Sequence, residues 1–434
     1  MSVSHLPPDH PDRLLLSAEV HARPPMPVVG PARASYVAVL VDPGQRALEN
    51  SHLHSLCLHF GVPPPLDDAT HFSGALRPGL RVKWERHGEF SGYTFYATGA
   101  EAAPGQTVVE DLPAGWLQSL PGRTVAALCA SILKQQVVAV PSQAELSEWF
   151  GDSAVAGSEV AEGAAFACTD FRTRDDGFTR VLLLDRSLTP YQTGRILQRL
   201  FEIEAYRMMA LLALPIARRQ SPRILGIERS LAALTDGIAS GHHDTASDER
   251  LLQELTRLAA EIESGLSASQ FRFGACRAYA DLVTRRVQEL REHRVSGLQT
   301  LEEFMSRRFQ PAVATCQTVS QRLHDLSERV AQASGLLRTR VEIARERQNQ
   351  MLLASMDRRA RLQLRLQQTV EGLSVAAIAY YVAGLVGYAA KGMVAAGVDL
   401  NPDIAVGVSV PVVALLFYAA MRRARRRMAE EPTD

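Results

Sequence analysis

The spacing of hydrophobic and polar positions changes twice along the chain, and each change predicts a different kind of element. Residues 1–32 are Pro-rich and without period. Proline removes backbone donors and disfavours helix in the residue before it, which predicts an extended segment. Tyr36–Val41 reads as a buried strand, and Gln45–Phe60 as an amphipathic helix stopped by Gly61 and Pro63-Pro64-Pro65. Leu80–Arg86 alternates Leu, Val and Trp with Arg, Lys and Glu, the pattern of a half-buried strand; Tyr93–Ala97 is its expected neighbour through the Gly88–Gly92 turn. Thr124–Ile132 fits strand and helix equally. Ala164–Arg172 and Thr179–Leu184 flank Asp175-Asp176-Gly177, a hairpin turn signal. Residues 1–188 are therefore expected to form one mixed α/β domain.

At Thr189-Pro190 the period becomes helical. Threonine at an N-cap with proline at the first helical position starts a helix well. Apolar residues recur through Ile196, Leu200, Ile203 and Met208, then through Ile224, Leu231 and Leu234. Gly241-His242-His243-Asp244 marks a polar break. Two further helices, near Asp248–Ser264 and Phe273–Arg294, are expected to be coiled-coil-like. A last helical pattern starts near Leu301, with a kink expected at Pro311, and runs to Glu371. Residues 189–370 thus read as a helical stalk, and a helix so long needs packing partners along its length.

The third regime is apolar throughout. Leu373–Ala390 and Ile404–Met421 contain no Asp, Glu, Lys or Arg. At about 1.5 Å per residue each run covers about 27 Å as a helix, close to the hydrocarbon core of a bilayer. Four arginines (358, 359, 361, 365) precede the first run and five (422, 423, 425, 426, 427) follow the second, whereas the connecting loop has the single cation Lys391. Basic flanks stay on the cytoplasmic side, so residues 371–421 read as a transmembrane hairpin with both termini on the cytoplasmic side, and 422–434 as a basic cytoplasmic tail. Ala379, Ala383 and Gly387 recur every four residues, a spacing that lets membrane helices pack closely.

Composition narrows the function more by exclusion than by signature. Lys plus Arg and Asp plus Glu both total 47, so global charge gives no reason to expect nucleic acid. The five cysteines form no C-x-x-C pair, the usage of a reducing compartment. Met1–Arg13 lacks the apolar core of a signal peptide, so membrane entry is expected from the hairpin. Twelve histidines invite a metal, but His52 and His59 are too far apart on one helix to share an ion, so no metal or cofactor is expected. Nucleophile elbow, phosphate loop and H-E-x-x-H motifs are missing, and with them any reason to expect an enzyme.

Two charged, aromatic-bearing clusters remain: Glu19, His21 and Arg23, and Trp84, Glu85, Arg86 and His87. They read as a ligand-binding surface or as a salt-bridge network that seats the N-terminal segment. With Glu89-Phe90 and Ser355-Met356-Asp357-Arg358-Arg359, these motifs resemble a bacterial family of uncharacterised membrane-anchored proteins, along essentially the whole chain. That resemblance implies inner-membrane attachment and no activity.

The layout is also similar to the CorA family of divalent-cation channels, which implies a cytoplasmic α/β domain, a long helix into the membrane and a second membrane helix. The CorA Gly-Met-Asn signature corresponds to Gly392-Met393-Val394 here. Valine cannot hold a hydrated cation through its side chain, Lys391 would repel one, and Asp399 and Asp403 in the loop would partly offset that. The expected fold class is α+β: a mixed α/β domain, a long-helix stalk and a two-helix membrane hairpin. The expected function is a membrane-anchored sensing or scaffold protein, homo-oligomeric, with a CorA-like channel as the alternative.

Overall fold

The computed structural model describes residues 7, 9–14, 16–17, 24–99, 103–135, 140–239, 245–397 and 401–429. The fold is mixed α+β. Its strands are β1 (Ala32–Leu40), β2 (His71–Arg77), β3 (Leu80–Arg86), β4 (Phe90–Thr98), β5 (Arg123–Lys134), β6 (Ala156–Val160), β7 (Ala165–Thr173), β8 (Thr179–Asp185) and β9 (His293–Arg294). The helices are α1 (Arg46–His59), α2 (Gln143–Phe150), α3 (Pro190–Leu211), α4 (Leu214–Ala239), α5 (Thr245–Glu289), α6 (Leu301–Phe304), α7 (Gln310–Ala395) and α8 (Pro402–Ala429).

The strands form one nine-stranded sheet in the order β2-β3-β4-β1-β5-β8-β7-β6-β9. Neighbours run antiparallel except β5 and β8, which are parallel. The ambiguous stretch Thr124–Ile132 is thus a strand, β5, at the centre of the sheet. A strand covered on both faces loses its alternation, which is why its period could not decide. The expected strands at 36–41, 80–86 and 93–97 and the hairpin around Asp175–Gly177 are present; β2 and β6, poor in β-branched residues, carried no signal of their own.

One face of the sheet is covered by α1. Leu53 and Leu56 pack there with Val82, Trp84, Tyr93, Phe95 and Trp116, all buried. Burying side chains of this size stabilises by roughly 1.5–3 kcal/mol each. The opposite face carries α3, where Tyr36 of β1 stacks on Phe201 with ring centroids 5.3 Å apart. Thr189 begins α3 as expected: its hydroxyl accepts from the Gln192 amide, the Gln192 side chain accepts from the Thr189 amide, and Pro190 opens the helix.

Two helical expectations need correction. The pair near 248–264 and 273–294 is one 45-residue helix, α5. The helix runs unbroken through Gly265, where a Cβ would make ordinary contact with Leu323 and Gln220, and Ser269 donates back to the Gly265 carbonyl at 2.6 Å. The kink expected at Pro311 is a π-helical turn just upstream, Met305–Phe309. Proline has no N–H and its ring crowds the carbonyl four residues back, and the wider turn accommodates both.

The chain divides into two compact units, residues 1–242 with 250–335, and residues 243–249 with 336–434. The first holds the sheet and its covering helices. In the second, Asp248 and Arg340 pair at 3.6 Å. Two helical stretches, Leu301–Ala395 and Pro402–Ala420, are long and apolar enough to cross a membrane, with windows of mean hydropathy 1.7 and 2.0.

Candidate functional site

Strand β3 sends consecutive side chains to opposite faces of the sheet, so the cluster Trp84-Glu85-Arg86 cannot be one site. Trp84 and Arg86 face α1. Glu85 faces α3 together with Lys83 and Arg81. Glu19, His21 and Arg23 lie outside the described residues.

On the α1 face everything converges on Glu49, whose side chain is fully buried. Its Oε1 accepts from Trp84 Nε1 and from the Tyr93 hydroxyl, both at 3.1 Å. Its Oε2 accepts from Arg46 at 3.2 Å and Arg86 at 3.3 Å. Arg86 also donates to Asn50 at 2.6 Å and lies over the Trp84 ring, and Arg46 donates to Ser91 at 3.0 Å. Burial alone would raise the Glu49 pKa; hydrogen bonds from Ser91 and Trp84 and the charge of Arg86 outweigh it and hold the carboxyl below its ordinary value. Burial and the adjoining Glu49 charge push the Tyr93 phenol up, so it stays a donor. Each oxygen already has two donors, and this carboxylate is a pin between helix and sheet.

The α3 face is arranged differently. The register aligns Ser73, Lys83, Thr94 and Tyr36 in one row across β2, β3, β4 and β1. Lys83 is 4% exposed and Thr94 is 4% exposed, so the row is buried through its middle and reaches solvent at Ser73 on the β2 edge. The Lys83 ammonium lies 3.0 Å from Glu85 and 3.4 Å from the Gln198 side chain on α3. Gly92 makes room for the Tyr36 ring, since a Cβ there would lie 2.9 Å from its hydroxyl. Burial, then Tyr206 and Glu85, raise the Tyr36 pKa, so its hydroxyl remains protonated. Glu202 on α3 pairs with Arg286 on α5.

Beside this row is a cavity of about 230 Å³, lined by Arg81, Lys83, His71, Phe72, Tyr191 and the segment Pro24–Pro27. The segment is fixed by Val28 donating to the Pro190 carbonyl at 3.0 Å and by the Ser73 hydroxyl donating to Met26 Sδ at 2.8 Å. Gly194 of α3 lies against it so closely that a Cβ would fall 1.7 Å from the Met26 carbonyl oxygen. A larger cleft of about 740 Å³ borders the π turn, but its walls mix signs and Arg294 there already pairs with Glu303 at 3.5 Å.

The remaining predicted residues are scattered. His87 stacks on Phe90 at 4.3 Å, and Glu89 beside it pairs with Arg272 of α5. Lys391, Gly392, Met393 and Val394 are exposed residues in the last turns of α7, where the Gly392, Met393 and Val394 carbonyls accept from Ala396 and Gly397. Asp399 lies outside the described residues; Asp403 is in the first turn of α8, where its charge suits the helix dipole. Gly387 packs on Val406 of α8 in the same chain, so closely that a Cβ would lie 3.0 Å from the Val406 side chain; Ala383 is buried and Ala379 half-buried. No group of three or more metal-binding side chains occurs among the described residues.

Sequence reasoning missed Glu49, Asn50 and Tyr93 on one face, and Ser73, Arg81, Lys83 and Tyr36 on the other. Strand alternation was the available signal: it sorts positions 81, 83 and 85 from 82, 84 and 86 without a structure. No curated protein matches the chain. The likeness to CorA is not confirmed by the comparisons. One family model covers nearly the whole chain, residues 8–428, and the protein belongs to that family, described as a protein of unknown function (DUF3422).

Proposed function

We propose that this is an inner-membrane-anchored protein whose α+β unit works on the cytoplasmic side as a sensing or scaffold domain. The observation that carries the reading is the exposure of apolar side chains along α7 and α8: Leu385 is 74% exposed, Tyr388 80% and Leu415 68%. A water-soluble helix hides such residues, and a lipid-facing one presents them. The nine flanking arginines against Lys391 in the loop give the orientation, both termini inside. Further apolar residues stay exposed on α7 before the membrane run, among them Met351, Leu353 and Leu366. Their cover, on this reading, is a second copy of the chain. The channel alternative draws little support, because Val394 brings no side-chain oxygen and Lys391 brings a repelling charge to the end of α7.

The test is accessibility to a membrane-impermeant thiol reagent in intact cells. All five native cysteines are buried and stay silent in the folded protein. Asn401→Cys, in the loop, is expected to label from outside. Ser51→Cys, exposed on α1, is expected to label only after the membrane is opened. The opposite pattern would refute the orientation, and labelling of both in intact cells would refute the anchor.

A further inference from the structure

We infer that the cavity beneath the Pro24–Pro27 segment is a binding site for a small organic carboxylate. The inference rests on the sensing reading proposed above and gives that reading its ligand class. Three observations lead to it.

The first is size. With about 30 Å³ per water, a cavity of about 230 Å³ holds roughly seven waters or a ligand of comparably few heavy atoms. That is below the range of drug-sized ligands and suits a small metabolite.

The second is charge. Lys83 and Arg81 both line the cavity, and Lys83 pairs with Glu85 at 3.0 Å. Arg81 has no ion pair among the described residues. Among the described residues the polar end therefore carries an excess of positive charge, with Lys83 buried and Arg81 half-buried, where charge interactions are stronger than in open water. The planar guanidinium of Arg81 can take both oxygens of a carboxylate at once, and the Ser73 and His71 side chains lie on the same face.

The third is the rest of the wall. Tyr191, Met26 and the prolines are apolar or present apolar faces, so a ligand needs a short hydrocarbon body as well as an anionic head. This combination separates a carboxylate from inorganic phosphate. A dianion would gain nothing from the apolar wall and would meet the Glu85 carboxylate beside Lys83. The wall itself is preformed: proline restricts the backbone of 24–27, and the contact with Gly194 holds it against α3.

The experiment is calorimetric titration of the full-length protein in lipid nanodiscs with benzoate and with butyrate. Benzamide, butyramide and inorganic phosphate are titrated in parallel. Saturable binding of at least one carboxylate is expected, at least tenfold tighter than its neutral amide and tighter than phosphate. Arg81→Met, with its melting temperature measured, is expected to weaken that binding at least tenfold. Tyr191→Ala, at a side chain 60% exposed and so without consequence for folding, is expected to weaken it severalfold. The inference is overturned if neither carboxylate binds at concentrations up to about 10 mM. Equal binding of the amides, preference for phosphate, or unchanged affinity in both variants overturns it as well. Loss of this inference leaves the anchor standing, because the thiol-labelling pattern is read independently of any ligand.

Discussion

Two faces of one strand are built from the same residue types and do different work. Trp84 and Arg86 point towards α1 and meet a carboxylate whose two oxygens each have two donors. Lys83 and Arg81 point towards α3 and line a cavity, and among the described residues only Lys83 of the two has an ion pair, with Glu85. A saturated buried network has no capacity left for a ligand and specifies structure; an unsaturated one retains capacity at a cost in stability. The contrast says that acid, base and aromatic residues are not themselves evidence of a site. What matters is whether their hydrogen-bonding capacity is spent.

The largest break in this comparison is expected at Glu49. Glu49→Gln keeps the volume and removes the charge, leaving Arg46 and Arg86 buried without their counter-ion. Breaking a buried pair from one side costs about 3 kcal/mol or more. For a unit of about 330 residues that lowers the melting temperature by roughly 4 °C or more, measurable by circular dichroism.

The next effect is expected at Gly194. A methyl group there meets the Met26 carbonyl, which is backbone and cannot swing aside. Gly194→Ala is expected to cost about 2 kcal/mol by overpacking and to unseat the Pro24–Pro27 wall. Faster proteolysis near residue 24, with the sheet otherwise intact, would report it. An unchanged digestion pattern would mean that the wall is not held by this contact.

A smaller effect follows from pH. His52 stacks on Trp116 at 4.5 Å and its Nε2 hydrogen-bonds the Trp116 carbonyl at 2.8 Å. Burial lowers its pKa, outweighing the bond to the carbonyl, which raises it. The unfolded chain then binds the proton more readily, so stability falls as pH drops below about 6.5. Glu49, whose folded pKa is lowered, adds a second loss below about 4.3, complete once pH passes its folded value. His52→Gln is expected to flatten the shoulder near pH 6 and Glu49→Gln the limb below pH 4.5, each read from melting curves across pH.

These residues show how far the sequence could be read. Period alone located β3 to the residue and the start of α3, because alternation and capping are local properties. It also separated the apolar helices from the rest. Three of the four partners of Glu49, Trp84, Arg86 and Tyr93, lie 35–44 positions away in the chain, and no local pattern marks one acid on α1 as their meeting point. The cluster at 84–87 was visible by composition, yet adjacency in sequence put on one surface what alternation puts on two. The length of α5 was hidden for another reason: Gly265 falls between the two expected helices and glycine costs helix propensity, yet the helix runs through it unbroken. The proposed membrane orientation rests on the arginine distribution, whereas any ligand chemistry depends on the register of four strands.

The division of labour between the two faces has one direct test, the melting temperature of Arg81→Met measured beside that of Glu49→Gln in the same full-length background. The account predicts a fall of roughly 4 °C or more for Glu49→Gln and a change within about 1 °C for Arg81→Met. A fall at Arg81 as large as that at Glu49 would contradict it, and would make both faces of β3 structural.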